Sequence, residues 1–243
     1  MQAYTPTPGP SRKREGGVIA VLPEYVRSSL EGRLADWIDA RWWNSPEELV
    51  SLAPEAEIGW FDLHVKAPAL RAIEAARGLR WLNTSYAGVD WMPLAEFERR
   101  GVSLTCGSGL TANQVAEFAL LSMLAVAKGY PAVVRAQDRQ EWLAVPPGIR
   151  DLAGSRALML GHGAIGQAIG RALEALGVDV LAVSSGRPRN WRSHIGEFDW
   201  IVLAVPGTPQ TRGMIGAAEI AAMKPEAVLV NFARADCVDQ PAL

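Results

Sequence analysis

The sequence predicts an α/β protein built on two doubly wound parallel sheets, the second of them incomplete. Three observations carry that expectation. Short apolar runs alternate with helical patterns from Val18 onward, which argues for parallel strands covered by helices on both faces. One run, residues 157–160, leads directly into Gly161-His162-Gly163-Ala164-Ile165-Gly166, the G-x-G-x-x-G spacing. A helical pattern follows, with Ile165, Ile169, Leu173 and Leu176 on one face and Gly177 as its stop, and residues 178–183 form a second apolar run. That is a βαβ unit of the Rossmann type. Gly161 serves the tight turn, Gly163 lets backbone approach a pyrophosphate, and Gly166 lets the helix pack against the strand. The helix N-terminus, at Ala164 and Ile165, offers unpaired N–H groups and a partial positive charge to phosphates. His162 lies within the turn, its side chain expected to point away from them.

Taken in order, the first seventeen residues hold three prolines and Arg12-Lys13-Arg14 without an apolar core, and read as a disordered leader. Residues 18–22 read as a strand and 25–38 as a helix, with Leu30, Leu34 and Trp37 at helical spacing. Short elements follow: strands at 41–43, 58–61, 80–84 and 102–105, helices at 46–52, 68–76 and 93–99. They make a flavodoxin-like first domain over residues 18–105. Residues 111–128 form a longer apolar helix, expected to be packed on all sides, which bridges the domains or makes a subunit interface. Residues 130–150, with three prolines, read as an extended excursion. The second domain, residues 106–243, continues with strands at 198–205 and 227–231 and a helix at 217–223. Only fourteen residues, Ser184 to Glu197, separate its second and third strands. That is too short for the strand and helix a full doubly wound sheet carries there. In the order 3-2-1-4-5-6 the missing strand is an edge, so its loss trims the sheet without breaking it.

Composition narrows the function classes. At 243 residues with 49% hydrophobic and 21% charged positions, the chain has ample core material for two domains. A net charge of −2 offers no footprint for nucleic acid or an anionic membrane, and no run of about 18 apolar residues is present. Cys106 and Cys237, far apart, suggest neither a disulfide framework nor a metal site, and fit free thiols in a cytoplasmic protein.

Five stretches, in order, resemble one family. They are Tyr86-Ala87-Gly88-Val89-Asp90; Asn113-Gln114-Val115-Ala116-Glu117; the glycine turn; Val205 to Gly213 followed by Met223-Lys224-Pro225; and Asn231-Phe232-Ala233-Arg234 with Val238-Asp239. Together they resemble the D-isomer-specific 2-hydroxyacid dehydrogenases over residues 57–243. The resemblance implies hydride transfer between NAD(P)H and a small 2-keto or 2-hydroxy acid. It makes Arg234 the catalytic arginine, whose fork takes the substrate carboxylate and polarises the keto oxygen. It gives Ala87 and Gly88 a share in that carboxylate through their N–H groups, and adds Pro206, Thr211 and Ala233 to the cofactor-binding set. In the family a glutamate and an acid–base histidine follow the arginine. Both fall outside these residues, so the chain is expected to be C-terminally incomplete and inactive as it stands. None of the three histidines, His64, His162 or His194, replaces the acid. The family's Arg-Gly step is Arg234-Ala235 here, which puts a Cβ where backbone freedom is expected.

The second apolar strand ends Ser184-Ser185-Gly186-Arg187, with Arg189 beyond and no carboxylate to accept a ribose 2′-OH. Ser184, Ser185 and Arg187 suit a 2′-phosphate, so NADP is expected over NAD, with NAD still open. A homodimer built on the second domain is expected from the apolar helix and the excursion after it. The alternative function, from a different class, is a non-catalytic dinucleotide-sensing module of the same fold. A methyltransferase on a Rossmann sheet is disfavoured by the N-x-x-R context of Arg234.

Overall fold

A computed structural model describes residues 17–186 and 190–243. The leader up to residue 16, Arg187 and Arg189 lie outside them. The chain folds into two compact units, one formed by residues up to Ser85 together with Trp91–Cys106, the other by Tyr86–Asp90 and Gly107–Leu243. The short Tyr86–Asp90 segment thus packs with the second unit.

The first unit holds five parallel strands: β1 (Val18–Pro23), β2 (Ile38–Trp43), β3 (Ile58–Trp60), β4 (Trp81–Thr84) and β5 (Ser103–Cys106). Their order, β2-β1-β3-β4-β5, is that of a flavodoxin-like sheet. Helices α2 (Pro46–Leu52), α3 (Lys66–Ala75) and α4 (Leu94–Arg100) connect them. The start of α2 shows why it forms where it does. Pro46 is its first residue, the Ser45 hydroxyl accepts the Glu48 N–H at 3.1 Å, and Glu48 accepts the Asn44 N–H at 2.7 Å. The core is Val21, Leu49, Ala69, Ile73, Leu82 and Phe97, all buried.

The single helix expected over 25–38 is not formed. The chain makes α1 (Arg27–Leu30) between two 3-10 turns, and Ile38 already belongs to β2. Leu30 and Leu34 are only half-buried and Trp37 is 60% exposed, so the helical spacing has no core to face. Periodicity without burial does not hold a helix of that length.

The second unit holds β6 (Arg156–Leu160), β7 (Asp179–Val183), β8 (Trp200–Leu203) and β9 (Val228–Asn231), parallel, in the order β7-β6-β8-β9. Alternation on the two central strands builds two cores. Ala157, Met159, Trp200 and Val202 face α5 (Ala112–Ala127) and α7 (Ala164–Ala175). Leu158, Leu160, Ile201 and Leu203 face the layer holding Trp191, Ile195, Phe198 and Ile215. Between β7 and β8 the described residues carry only a 3-10 turn, Arg192–Glu197, so β7 is an edge. One flank of α7 is left beside a groove of about 220 Å³ reaching Val180 and Ala182 of β7.

Two expectations for the middle of the chain are corrected. The 111–128 helix is not packed on all sides. Ala112, Ala116, Ala119, Met123 and Ala127 are buried, the four alanines letting α5 lie close to α7, but Phe118, Leu121 and Val126 are more than half exposed. Nor is 130–150 wholly extended. Its first part is helix α6 (Tyr130–Asp138), entered through Gly129 at φ +59° with Pro131 in the first turn. Its buried side is a single residue, Ala136, so no apolar stripe marks it in sequence.

Candidate active site

The carboxyl ends of β6, β7, β8 and β9 carry the residues singled out above, the end of a parallel sheet at which ligands bind. At β6, Gly161 adopts φ +110° and donates its N–H to the Val183 carbonyl at 2.9 Å. A Cβ there would come within 2.4 Å of the Ala204 carbonyl, so the turn is pressed against β8. Gly166 is buried, and a Cβ on it would stand 2.1 Å from the Gly161 carbonyl oxygen. Gly163 differs from both: it is exposed, extended, and a Cβ on it would meet nothing within 4 Å. It precedes α7 as N-cap with no side chain capping the helix, so the N–H groups around Ala164 and Ile165 are left for a ligand. A helix of twelve residues opening on an uncapped glycine is a fit for a pyrophosphate. His162 turns to the groove beside α7; its Nδ1 is buried without a partner, and its carbonyl accepts from Gln167 at 2.9 Å.

Beyond β7, Ser184 is half-buried and Ser185 exposed, and no carboxylate stands in the described residues from there to Gly186. The loop after β8 is knotted by Thr211. Its Oγ1 lies 2.7 Å from the Pro206 carbonyl and accepts the Thr208 N–H at 2.9 Å. Thr211 therefore shapes the loop that presents Pro206.

The β9 end carries Arg234. Asn231 folds the N-x-x-R segment by an Asx-type turn: its Oδ1 accepts the Ala233 N–H at 2.9 Å, and its Nδ2 donates to the Arg234 carbonyl at 2.8 Å. Arg234 then meets the Tyr86–Asp90 segment. Its Nε donates to Asp90 Oδ2 at 3.1 Å, its Nη2 to Asp90 Oδ1 at 2.5 Å, and its Nη1 to the Ala233 carbonyl at 2.9 Å. The guanidinium beside Asp90 holds that carboxyl below the usual carboxylate range, against the opposing effect of partial burial. Arg234 is raised in turn, first by the same hydrogen bond.

Gly88 earns its place through space alone. It has no positive φ, but a Cβ on it would fall 1.9 Å from Arg234 Nη2. A Cβ on Gly207, after β8, would lie 3.1 Å from both Arg234 Cγ and Asp90 Oδ2. Two glycines thus form the slot in which the ion pair lies. Ala87 is exposed beside it in sequence. The expected intrusion at Ala235 does not arise: Ala235 opens a 3-10 turn, and Gln140 is the one non-glycine residue with positive φ among the described residues. Asp90 and Asn231 are the two members that sequence reasoning left without a role. His194 is exposed with Nδ1 on Glu197 at 2.8 Å, and His64 is exposed in the first unit.

Residues 120–243 match the model of the D-isomer specific 2-hydroxyacid dehydrogenase NAD binding domain. The chain belongs to that family. Among curated relatives of this dehydrogenase-family chain, glycerate dehydrogenase of Methylorubrum extorquens is 29% identical over 211 residues, covering 82% of this chain and 66% of that protein. Glyoxylate reductase of Thermococcus gammatolerans is 32% identical over 183 residues, covering 68% of this chain and 55% of that protein. The chain spans between 35 and 67% of the length of the first five such relatives. A solved D-isomer specific 2-hydroxyacid dehydrogenase family protein from Aeromonas salmonicida superposes with a TM-score of 0.80 at 25% identity, over 94% of this chain and 76% of that one.

Proposed function

We propose that the chain transfers hydride between a nicotinamide dinucleotide and a small 2-keto or 2-hydroxy acid. The observation that carries this is Arg234, set by the Asn231 turn at the carboxyl end of the same sheet whose β6 opens into the phosphate turn. Relatives named as glycerate dehydrogenase and glyoxylate reductase support the substrate class. In this reading Gly161, Gly163 and the first N–H groups of α7 hold the pyrophosphate, with Pro206, Thr211 and Ala233 along the adjoining strand ends. The bound dinucleotide supplies the hydride. Arg234 takes the acid's carboxylate and draws charge toward the keto oxygen, and the Ala87 and Gly88 N–H groups share the carboxylate.

We favour NADP over NAD, because Ser184 and Ser185 leave no acid to repel a 2′-phosphate. A solved acyclic imino acid reductase of the same fold, 17% identical with a TM-score of 0.76, is in complex with NADPH, whereas a D-lactate dehydrogenase from Aquifex aeolicus, 19% identical with a TM-score of 0.73, is complexed with NAD. We also propose a homodimer through the exposed apolar residues of α5 and α6, and a reducing, cytoplasmic setting for the free thiols Cys106 and Cys237.

The test is NADPH consumption at 340 nm with glyoxylate, hydroxypyruvate and pyruvate, and its loss in Arg234→Ala. His194 is engaged on the surface and His162 belongs to the phosphate turn, so neither serves as proton donor. Turnover by these residues alone is therefore expected to be about 10²–10⁴-fold below that of a site with its acid in place. The dinucleotide would still bind. Failure of both NADPH and NADH to bind would refute the proposal.

A further inference from the structure

The Arg234 guanidinium has five N–H donors in a rigid fork. Two of them, on the Nε–Nη2 edge, are taken by Asp90, and one on Nη1 reaches back to the Ala233 carbonyl. What remains is one N–H on Nη1 and one on Nη2. The Nη1–Nη2 edge therefore keeps a donor on each nitrogen, and that edge is one a carboxylate can accept in bidentate fashion. The ion pair lies in the slot between Gly88 and Gly207, where a Cβ on Gly88 would displace the Arg234 Nη2 from its present place and one on Gly207 would press on both side chains. Its side chains are 41% and 32% exposed, so the pair adds little to stability. A bidentate geometry maintained by two glycines for so little stability points to a role in the site.

We propose that Asp90 is a positioning residue, which presets the Arg234 fork so that its Nη1–Nη2 edge is presented to the substrate's carboxylate and keto oxygen. This rests on the catalytic reading of Arg234 given above. A half-exposed arginine otherwise samples many rotamers, and the entropy of fixing one is met at every binding event. With Asp90 in place it is met on folding. The carboxylate also offsets the guanidinium charge, so the substrate is recognised by the direction of two N–H groups more than by net charge.

Asp90→Asn keeps the size of the side chain but has one acceptor oxygen and no charge, and cannot offer Nε and Nη2 an oxygen each. With glyoxylate and NADPH, kcat/KM is expected to fall about 10- to 30-fold, the worth of an arginine's rotamer freedom, with the loss carried mainly by a higher KM. The Kd for NADPH and the thermal midpoint should stay near wild type. In an Arg234→Lys background, which has no fork to hold, the same change should cost less than about threefold. A loss of NADPH affinity or of folding that matches the loss of rate, or an equal loss in the Lys background, would overturn the proposal. A second readout needs no turnover. In nitrogen-edited NMR the Arg234 Nε–H should be protected from exchange in wild type, shift on titration with oxalate while staying protected, and vanish in Asp90→Asn. Oxalate that abolishes the protection would make Asp90 a latch displaced by ligand, and a protected signal in Asp90→Asn would remove its role altogether. Oxalate binding that is unchanged in Arg234→Ala, with the wild-type Nε–H behaving as expected, would instead refute the catalytic reading.

Discussion

Replacing Gly166 by alanine should separate the packing of the phosphate turn from its ligand chemistry. The new Cβ would stand 2.1 Å from the Gly161 carbonyl oxygen and 3.0 Å from its carbon, both backbone atoms. Reaching an ordinary contact of about 3.4 Å requires α7 and the turn to part by roughly 1.3 Å, and neither can yield like a side-chain end. Overpacking of this kind costs about 1–3 kcal/mol, offset by up to about 1 kcal/mol because alanine is the better helix former. A net loss of roughly 1–2 kcal/mol is expected, together with a loss of NADPH affinity as the α7 N–H groups move off the phosphates. Gly163→Ala is the contrast. Its Cβ meets nothing and its φ is −75°, and the unfolded-state gain of alanine offsets its poorer N-cap propensity, so the fold should stay near wild-type stability. The methyl would nonetheless stand where a pyrophosphate approaches, and affinity should fall with stability intact. Urea melts followed by NADPH fluorescence titrations measure both. If Gly166→Ala melts and binds like wild type, or Gly163→Ala loses stability, the assignment of the two glycines is wrong.

NADPH should bind roughly tenfold more tightly than NADH, about the worth of one charge-assisted hydrogen bond, and paired titrations decide it. Asp90 has a depressed folded-state value, so its stabilising contribution is present above the ordinary carboxylate value of about 4 and lost as pH falls through the lower one. The pairing with Arg234 should therefore hold from neutral pH to about pH 4 and be lost below it, read as a shift of the Arg234 Nε resonance on acid titration. Leu121→Asp, on the exposed face of α5 at 57% exposure, should convert a dimer to monomer without lowering the monomer's stability; light scattering reads both, and a monomeric wild type refutes the interface.

Much of the fold is legible in the sequence because it rests on local patterns. The glycine turn announces itself by spacing, α2 by Ser45, Pro46 and Glu48, and the strands by short apolar runs. The failures are equally physical. Residues 25–38 carry helical spacing with no core beneath, and α6 carries a helix with one buried residue. The site divides the same way. Arg234 is marked by Asn231 three positions earlier, a spacing that one side chain can bridge. Asp90 is 144 positions from its partner, and nothing near it in sequence marks the pairing. The role of Gly88 is hidden for the same reason, since its need for space comes from a side chain brought in by the fold.

The shortened β7–β8 connection bears on how little of a doubly wound sheet the site requires. The strands that carry the phosphate turn and the loop of Pro206 are β6 and β8, and both are central: Ala157 to Leu160 and Trp200 to Leu203 are buried on both faces. Removing a strand beyond β7 leaves these two strands covered. The cost falls on β7 itself, whose Val180, Leu181 and Ala182 are only half-buried, and on the groove beside α7. β7 is also the strand whose end meets the adenosine side of a dinucleotide. In the reading proposed above, the trimmed sheet leaves the phosphate turn in place and the ribose to the segment that begins with Ser184 and Ser185. Loss of affinity from a changed cofactor should accordingly be confined to the 2′-position, with changes at the phosphate turn acting independently of it.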